Sequence, residues 1–163
     1  TMANLGISDA SDFTIEGLLT TDGRGGTDYR QAFANSNDIN FEFGHRAGEA
    51  IISQFSFNTN NLDITEANFG TATWRHICLT WKSTATKAGI LYMDTVSQEA
   101  NSGDSWAGAF GGSLVLGKRQ PSATYWDGKM QEIRVSNTVR TPAWIKATYN
   151  SLNNTLLSFG SEE

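Results

Sequence analysis

Residues 117–128, GKRQPSATYWDG, gather Lys118, Arg119, Gln120, Tyr125, Trp126 and Asp127 in one short stretch. That set suits a sugar. A flat ring stacks on the C–H face of a pyranose, and polar side chains hydrogen-bond to adjacent hydroxyls. Neighbouring residues on an extended segment face opposite ways, so at most one of Tyr125 and Trp126 is available for stacking. For Trp126 a packing role at the edge of the core stands beside the ligand role. Trp106, in the Gly/Ser-rich stretch NSGDSWAGAFGG, is a second candidate. The stretch TDYRQAFANSND, residues 27–38, is a third, through Tyr29, Arg30, Asn35, Asn37 and Asp38.

A different chemistry is suggested by WRHICLTW, residues 74–81, which holds the single Cys and one of the two His. His76 and Cys78 alternate with Ile77, Leu79 and Trp81, a period of two that marks a strand buried on both faces. One Cys and two His, His45 and His76, fall short of the roughly four ligands of a structural zinc site. Side chains two apart on a strand stand about 6–7 Å apart, beyond the reach of a Cys–His dyad. The apolar neighbours of Cys78 favour an inert thiol. Both residues read as core.

Twelve Lys+Arg against seventeen Asp+Glu leave a net charge of −5 over 163 residues. That balance argues against nucleic acid, whose phosphates need a basic patch. No apolar run reaches the length of a membrane span. One Cys excludes an internal disulfide. No phosphate loop, nucleophile elbow or HExxH motif is present.

The elements that must carry these residues are short. Strand-like runs are FTIEGLL (13–19), INFEF (39–43), AIISQFSF (50–57), RHICLTW (75–81), GILYMD (89–94), GSLVLG (112–117), KMQEIRV (129–135) and TLLSFG (155–160). Gly, Asn, Ser and Asp clusters separate them, the rhythm of an antiparallel sandwich or barrel. NTNN (58–61), GRGGTDY (23–29) and NSGDSWAGAFGG (101–112) read as loops. One segment departs from the pattern. Thr141 is a good N-cap, Pro142 suits the first helical position, and Trp144, Ile145, Tyr149 and Leu152 share one helical face. A helix over 142–151, ended by Asn153 and Asn154, is expected on the sandwich. No repeat or linker divides the chain, so one domain over 1–163 is expected. The opening TMA shows no signal peptide.

DGKMQEIRVSNTVRTPAWIKATYN, closing with LLSFGSEE, resembles the laminin-G-like jelly-roll domains of the concanavalin A-like lectin/glucanase superfamily. Gly128, Met130, Glu132, Ile133, Arg134 and Val135 match the family pattern, and Gln131 stands where Asp is usual. HICLTW is similar to the pentraxin signature, although Cys78 has no partner for the disulfide seen there. ILYMDTV is similar to the family hairpin with Thr95 in place of the turn glycine. Because a β-branched residue resists positive φ, a different turn is expected. GSLVLGKR matches the next strand.

The resemblance implies an all-β, antiparallel jelly-roll β-sandwich with one short C-terminal helix. In pentraxins the loop equivalent to 118–127 holds ligand or calcium. Asn37-Asp38 resembles the Asp–Asn pair of that calcium site. Its acidic run is replaced by Lys118-Arg119-Gln120-Pro121, so the pentraxin-type site is expected to be lost. Asp127, or the Asp9/Asp12 segment, offers oxygens for a different calcium site. No cofactor is required by these residues, and calcium is the one candidate.

Retaining glucanases of the superfamily need two carboxylates about 5–5.5 Å apart. Asp63/Glu66 and Glu132 do not supply such a pair on one strand face. A non-catalytic lectin-like module is therefore expected, from a secreted or cell-surface protein of bacterial or phage type, multidomain or oligomeric. Its partner would be a glycan or cell-surface polysaccharide. The alternative is a structural or protein-interaction module of the adhesin or fibre-tip kind.

Overall fold

The computed structural model describes residues 11–22, 30–35, 42–45, 52–57, 60–65, 69, 71–83, 88–102, 113–118 and 124–155. Among the described residues, ten strands precede a C-terminal helix: β1 (Phe13–Leu19), β2 (Arg30–Asn35), β3 (Glu42–His45), β4 (Ile52–Phe57), β5 (Asn60–Thr65), β6 (Arg75–Lys82), β7 (Ala88–Met93), β8 (Val96–Ser102), β9 (Leu114–Leu116), β10 (Met130–Ser136) and α1 (Pro142–Leu152). They form two five-stranded sheets, β10-β1-β6-β7-β8 and β5-β4-β3-β2-β9. Among the described residues every strand pairing is antiparallel. The result is a jelly-roll β-sandwich with a C-terminal helix.

Alternation along each strand decides what faces what. Phe13, Ile15 and Leu19 of β1, Ile77, Leu79 and Trp81 of β6, and Leu91 and Met93 of β7 meet Phe33, Phe43, Leu62, Ile64 and Leu114 of the second sheet in one core. The other face of the first sheet is buried too. Cys78 and Tyr92 pack there under Ile145 of α1, with Ile90 and Trp144 at the margin. This accounts for the fully buried run in β1, where polar and apolar positions alike are covered.

α1 begins as the sequence predicts. Thr141 Oγ1 accepts from the Trp144 N–H at 3.2 Å, and Pro142 opens the helix. At its end the Asn153 N–H donates to the Tyr149 carbonyl at 3.1 Å and the Asn154 N–H to the Ser151 carbonyl at 3.2 Å. The packing face is turned slightly from the expected one. Ile145 and Thr148 are buried, while Trp144, Tyr149 and Leu152 are half-buried. Trp144 instead lies against the Arg140 guanidinium, 4.3 Å from its ring centre.

One strand falls where no strand is expected, and two others run into stretches read as loops. β2 occupies Arg30–Asn35, β5 starts at Asn60, and β8 extends to Ser102. In β2, Gln31, Ala32, Phe33 and Ala34 are all buried, so no alternation marks the strand. The β7–β8 turn also differs from expectation. Met93 pairs with Val96, and Asp94 and Thr95 take φ of 51° and 88°. That is the type I′ hairpin turn, reached with a threonine at a position that favours glycine. Asp94 secures it. Its Oδ1 accepts from the His76 N–H at 2.9 Å, its Oδ2 from Arg75 Nη1 at 2.7 Å, and its own N–H donates to the His76 carbonyl at 2.9 Å. The run TLLSFG lies outside the described residues beyond Thr155.

Candidate functional site

At one end of the sandwich, three connections are stitched together by backbone hydrogen bonds. They are residues 20–22 after β1, 71–74 before β6, and 126–129 before β10. The Ala72 N–H donates to the Thr21 carbonyl at 2.6 Å and the Asp22 N–H to the Asp127 carbonyl at 2.6 Å. The Thr20 N–H donates to the Lys129 carbonyl at 2.9 Å, and the Lys129 N–H returns a bond to Thr20 Oγ1 at 3.0 Å. The approach is so close that a Cβ at Gly128 would collide with the Thr20 carbonyl, which is why glycine stands there.

Into this strap the aromatic pair is set as alternation requires. Trp126 points inward. It is only 8% exposed, meets Phe69 edge-on at 6.3 Å, and donates from Nε1 to the Thr20 carbonyl at 2.9 Å. The ligand-stacking role considered for Trp126 is thereby corrected: its ring faces are packed and its single donor is spent within the fold. Tyr125 points outward and is 61% exposed. Its backbone forms an antiparallel bridge with Lys118, whose Nζ lies 6.0 Å from the ring centre. The Trp126 N–H donates to the Gly117 carbonyl at 3.0 Å, and the Gly117 N–H to the Ala32 carbonyl at 2.9 Å. The two ends of the 118–125 segment are thus tied to the second sheet.

Two other candidates, Arg30 and Asp127, are brought together. Arg30 Nη1 donates to Asp127 Oδ2 at 2.6 Å, and Thr21 Oγ1 donates to Asp127 Oδ1 at 3.3 Å. Both side chains of the ion pair are partly exposed. Trp106, Arg119, Gln120, Tyr29, Asn37 and Asp38 lie outside the described residues. So does Asp9; Asp12, its partner in the alternative calcium site, accepts from the Ser83 N–H and Oγ, both at 2.8 Å. The backbone bond from Ser83, then the hydroxyl bond, hold its carboxyl below the ordinary value. Among the described residues no three His, Cys, Asp or Glu side chains gather to hold a metal ion.

Trp74 is not among the sequence candidates, because WRHICLTW reads as one buried strand. β6 starts at Arg75, as the run RHICLTW has it, and Trp74 is 41% exposed in the stitched connection. The preceding TAT, polar and turn-like, is the signal that would have separated it. Val96, beside the Asp94-Thr95 turn, is also exposed.

His76 and Cys78 are buried, as expected, but on the helix side of the first sheet rather than between the sheets. Burial, then the charge of Glu16, pushes the Cys78 thiol far above its usual range. His76 Nε2 lies 3.0 Å from Glu16 Oε2, both side chains fully enclosed. Arg134 reaches Glu16 Oε1 at 3.8 Å with Nη1 and Glu132 Oε2 at 2.8 Å with Nη2. Glu16 and Glu132, the two carboxylates that share Arg134, are therefore each engaged by a cation.

The two antiparallel five-stranded sheets define the class as a concanavalin A-like sandwich. The chain belongs to the concanavalin A-like lectin/glucanase superfamily, whose laminin-G-type family model matches residues 1–146. No curated protein matches by sequence. Among solved structures, a Bacteroides ovatus protein described as carbohydrate-binding superposes with a TM-score of 0.68 at 18% identity, over 89% of this chain and 43% of that one. Domain 4 of a GH43 extracellular arabinanase from Geobacillus stearothermophilus, solved in complex with arabinotriose, gives 0.62 at 15% identity, over 89% and 68%. A heptameric SAP-like pentraxin from Limulus polyphemus gives 0.60 at 14% identity, over 86% and 70%. At these identities the likeness is one of fold. The chain spans less than half of the Bacteroides protein.

Proposed function

We propose that this domain is a non-catalytic carbohydrate-binding module of an exported bacterial or phage-type surface protein, with Tyr125 as the ring on which a sugar stacks. The observation that carries the reading is the exposure of Tyr125 on a backbone fixed by Trp126 and Gly117. A ring held in place loses little freedom on binding, which favours affinity. The company of carbohydrate-binding structures with the same fold supports the same reading. One ring and a few polar groups suit a neutral or amino sugar held at about 1 mM per site. Repetition of the module in a larger assembly would raise avidity.

A glycan array on the purified domain, with and without calcium, tests this. Wild type should bind a defined set of glycans, and Tyr125→Ala should lose that binding with an unchanged thermal midpoint. Exposure of Trp74 and Val96 favours the second reading, a module that joins proteins or copies of itself. An empty array together with self-association in sedimentation would favour that reading over the lectin one.

A further inference from the structure

Arg30 and Asp127 have the chemistry of sugar ligands, yet each spends it on the other. We infer that the Arg30–Asp127 ion pair is a positioning device that holds the Tyr125 face in place and does not itself touch the sugar; this rests on the carbohydrate-binding reading above. Asp127 is the point where three parts of the chain meet. Its Oδ2 takes Arg30 from the start of β2 in the second sheet, at 2.6 Å. Its Oδ1 takes Thr21, at 3.3 Å, and its carbonyl takes the Asp22 N–H, at 2.6 Å, both just past β1 of the first sheet. Tyr125 is two residues upstream, with only Trp126 between.

The pair therefore ties the strap to both sheets on the side that presents the ring. A carboxylate that already accepts from an arginine and a hydroxyl, with its guanidinium partner oriented toward it, is poorly placed to rearrange around sugar hydroxyls. A fixed strap, by contrast, keeps the exposed ring at one height and angle over the end of the sandwich. Sites held loosely by their supporting residues lose affinity even when every contacting group is present.

The test uses Arg30→Gln, Asp127→Asn and the double variant. Each single change removes the same charged bond while keeping a polar side chain of similar reach. The amide oxygen introduced by Asp127→Asn can still accept from Thr21, so the Thr21 contact is not lost with the charge. Two readouts separate positioning from contact. The first is hydrogen exchange at the Trp126 amide, which should quicken by about fivefold to tenfold in all three variants, the scale of one partly exposed charged bond. The second is affinity for whichever array glycan the wild type binds. It should fall by the same factor in the double variant as in either single one, because both substitutions break one shared bond. Losses that multiply in the double variant would mean that each side chain meets the sugar, and would overturn the inference. Unchanged Trp126 exchange, or quickened exchange with unchanged affinity, would overturn it as well. If the wild type binds no glycan, the carbohydrate reading fails by itself, and the exchange rates alone decide whether the pair holds the strap.

Discussion

Replacing Thr95 by Gly should stabilise the domain. Thr95 sits at φ 88° in the second central position of the Asp94-Thr95 turn, where the Cβ of an L-residue crowds the backbone. Holding a non-glycine residue in left-handed conformation costs about 1–2 kcal/mol. Glycine loses more freedom on folding, a counter-term of about 0.5–1 kcal/mol. Among the described residues no side-chain hydrogen bond of Thr95 enters the balance; the turn is fixed through Asp94, Arg75 and His76. The net gain is about 0.5–1 kcal/mol, which for a chain of this size raises the melting midpoint by about 1–4 °C. Urea unfolding and calorimetry measure it, and an unchanged slope in urea confirms that only stability has moved. Thr95→Ala separates the causes. It keeps the Cβ, so it should recover much less of the gain than Gly. A Gly variant whose midpoint is equal to or below that of the wild type would refute the argument, because the strain would then not be stored at this position.

Three other outcomes follow from packing. Trp126→Ala should destabilise by about 3–5 kcal/mol, as a large buried truncation that also orphans the Thr20 carbonyl; urea midpoints beside those of Tyr125→Ala, which should stay within about 0.5 kcal/mol of wild type, make the contrast. Cys78 should resist a thiol reagent in the native state and react on unfolding, since burial both shields the thiol and disfavours the thiolate; rapid native labelling would contradict its place under α1. Glu16→Ala should cost about 1–3 kcal/mol by leaving the enclosed His76 Nε2 without its hydrogen-bond partner, and a Glu16→Leu/His76→Leu double variant should recover most of that loss in chemical denaturation.

How much of this is legible in the sequence depends on periodicity. β1 is read with its observed bounds and β6 to within one residue, because apolar residues mark their inward positions and turn residues flank them. α1 is signalled by Thr141 and Pro142, although its buried face includes Thr148, which no hydropathy pattern would select. β2 escapes because QAFA is buried on both sides, so alternation vanishes and only composition remains. The hairpin at Thr95 misleads for a different reason. Local steric preference opposes the turn, and three hydrogen bonds on the neighbouring Asp94 override it.

The site is legible only as a set of residue types. Sequence places Tyr125, Trp126 and Asp127 together and allows that one ring is buried, but alternation cannot say which ring is inside. That choice is made by the Thr20 carbonyl, an acceptor from a strand end more than a hundred positions earlier, which pairs with the indole N–H. A phenol in the same place would present a different donor at a different reach, so the inward position suits Trp and the outward one is left to Tyr. The pairing of Arg30 with Asp127 is likewise non-local, set by the meeting of the two sheets at the stitched end. Residues chosen for their ability to bind a sugar thus divide by what the fold has already claimed. Trp126 goes to the core and Arg30 and Asp127 to each other. Among the described residues of the 117–128 stretch, Tyr125 is the ring left facing outward, with Lys118 at its edge.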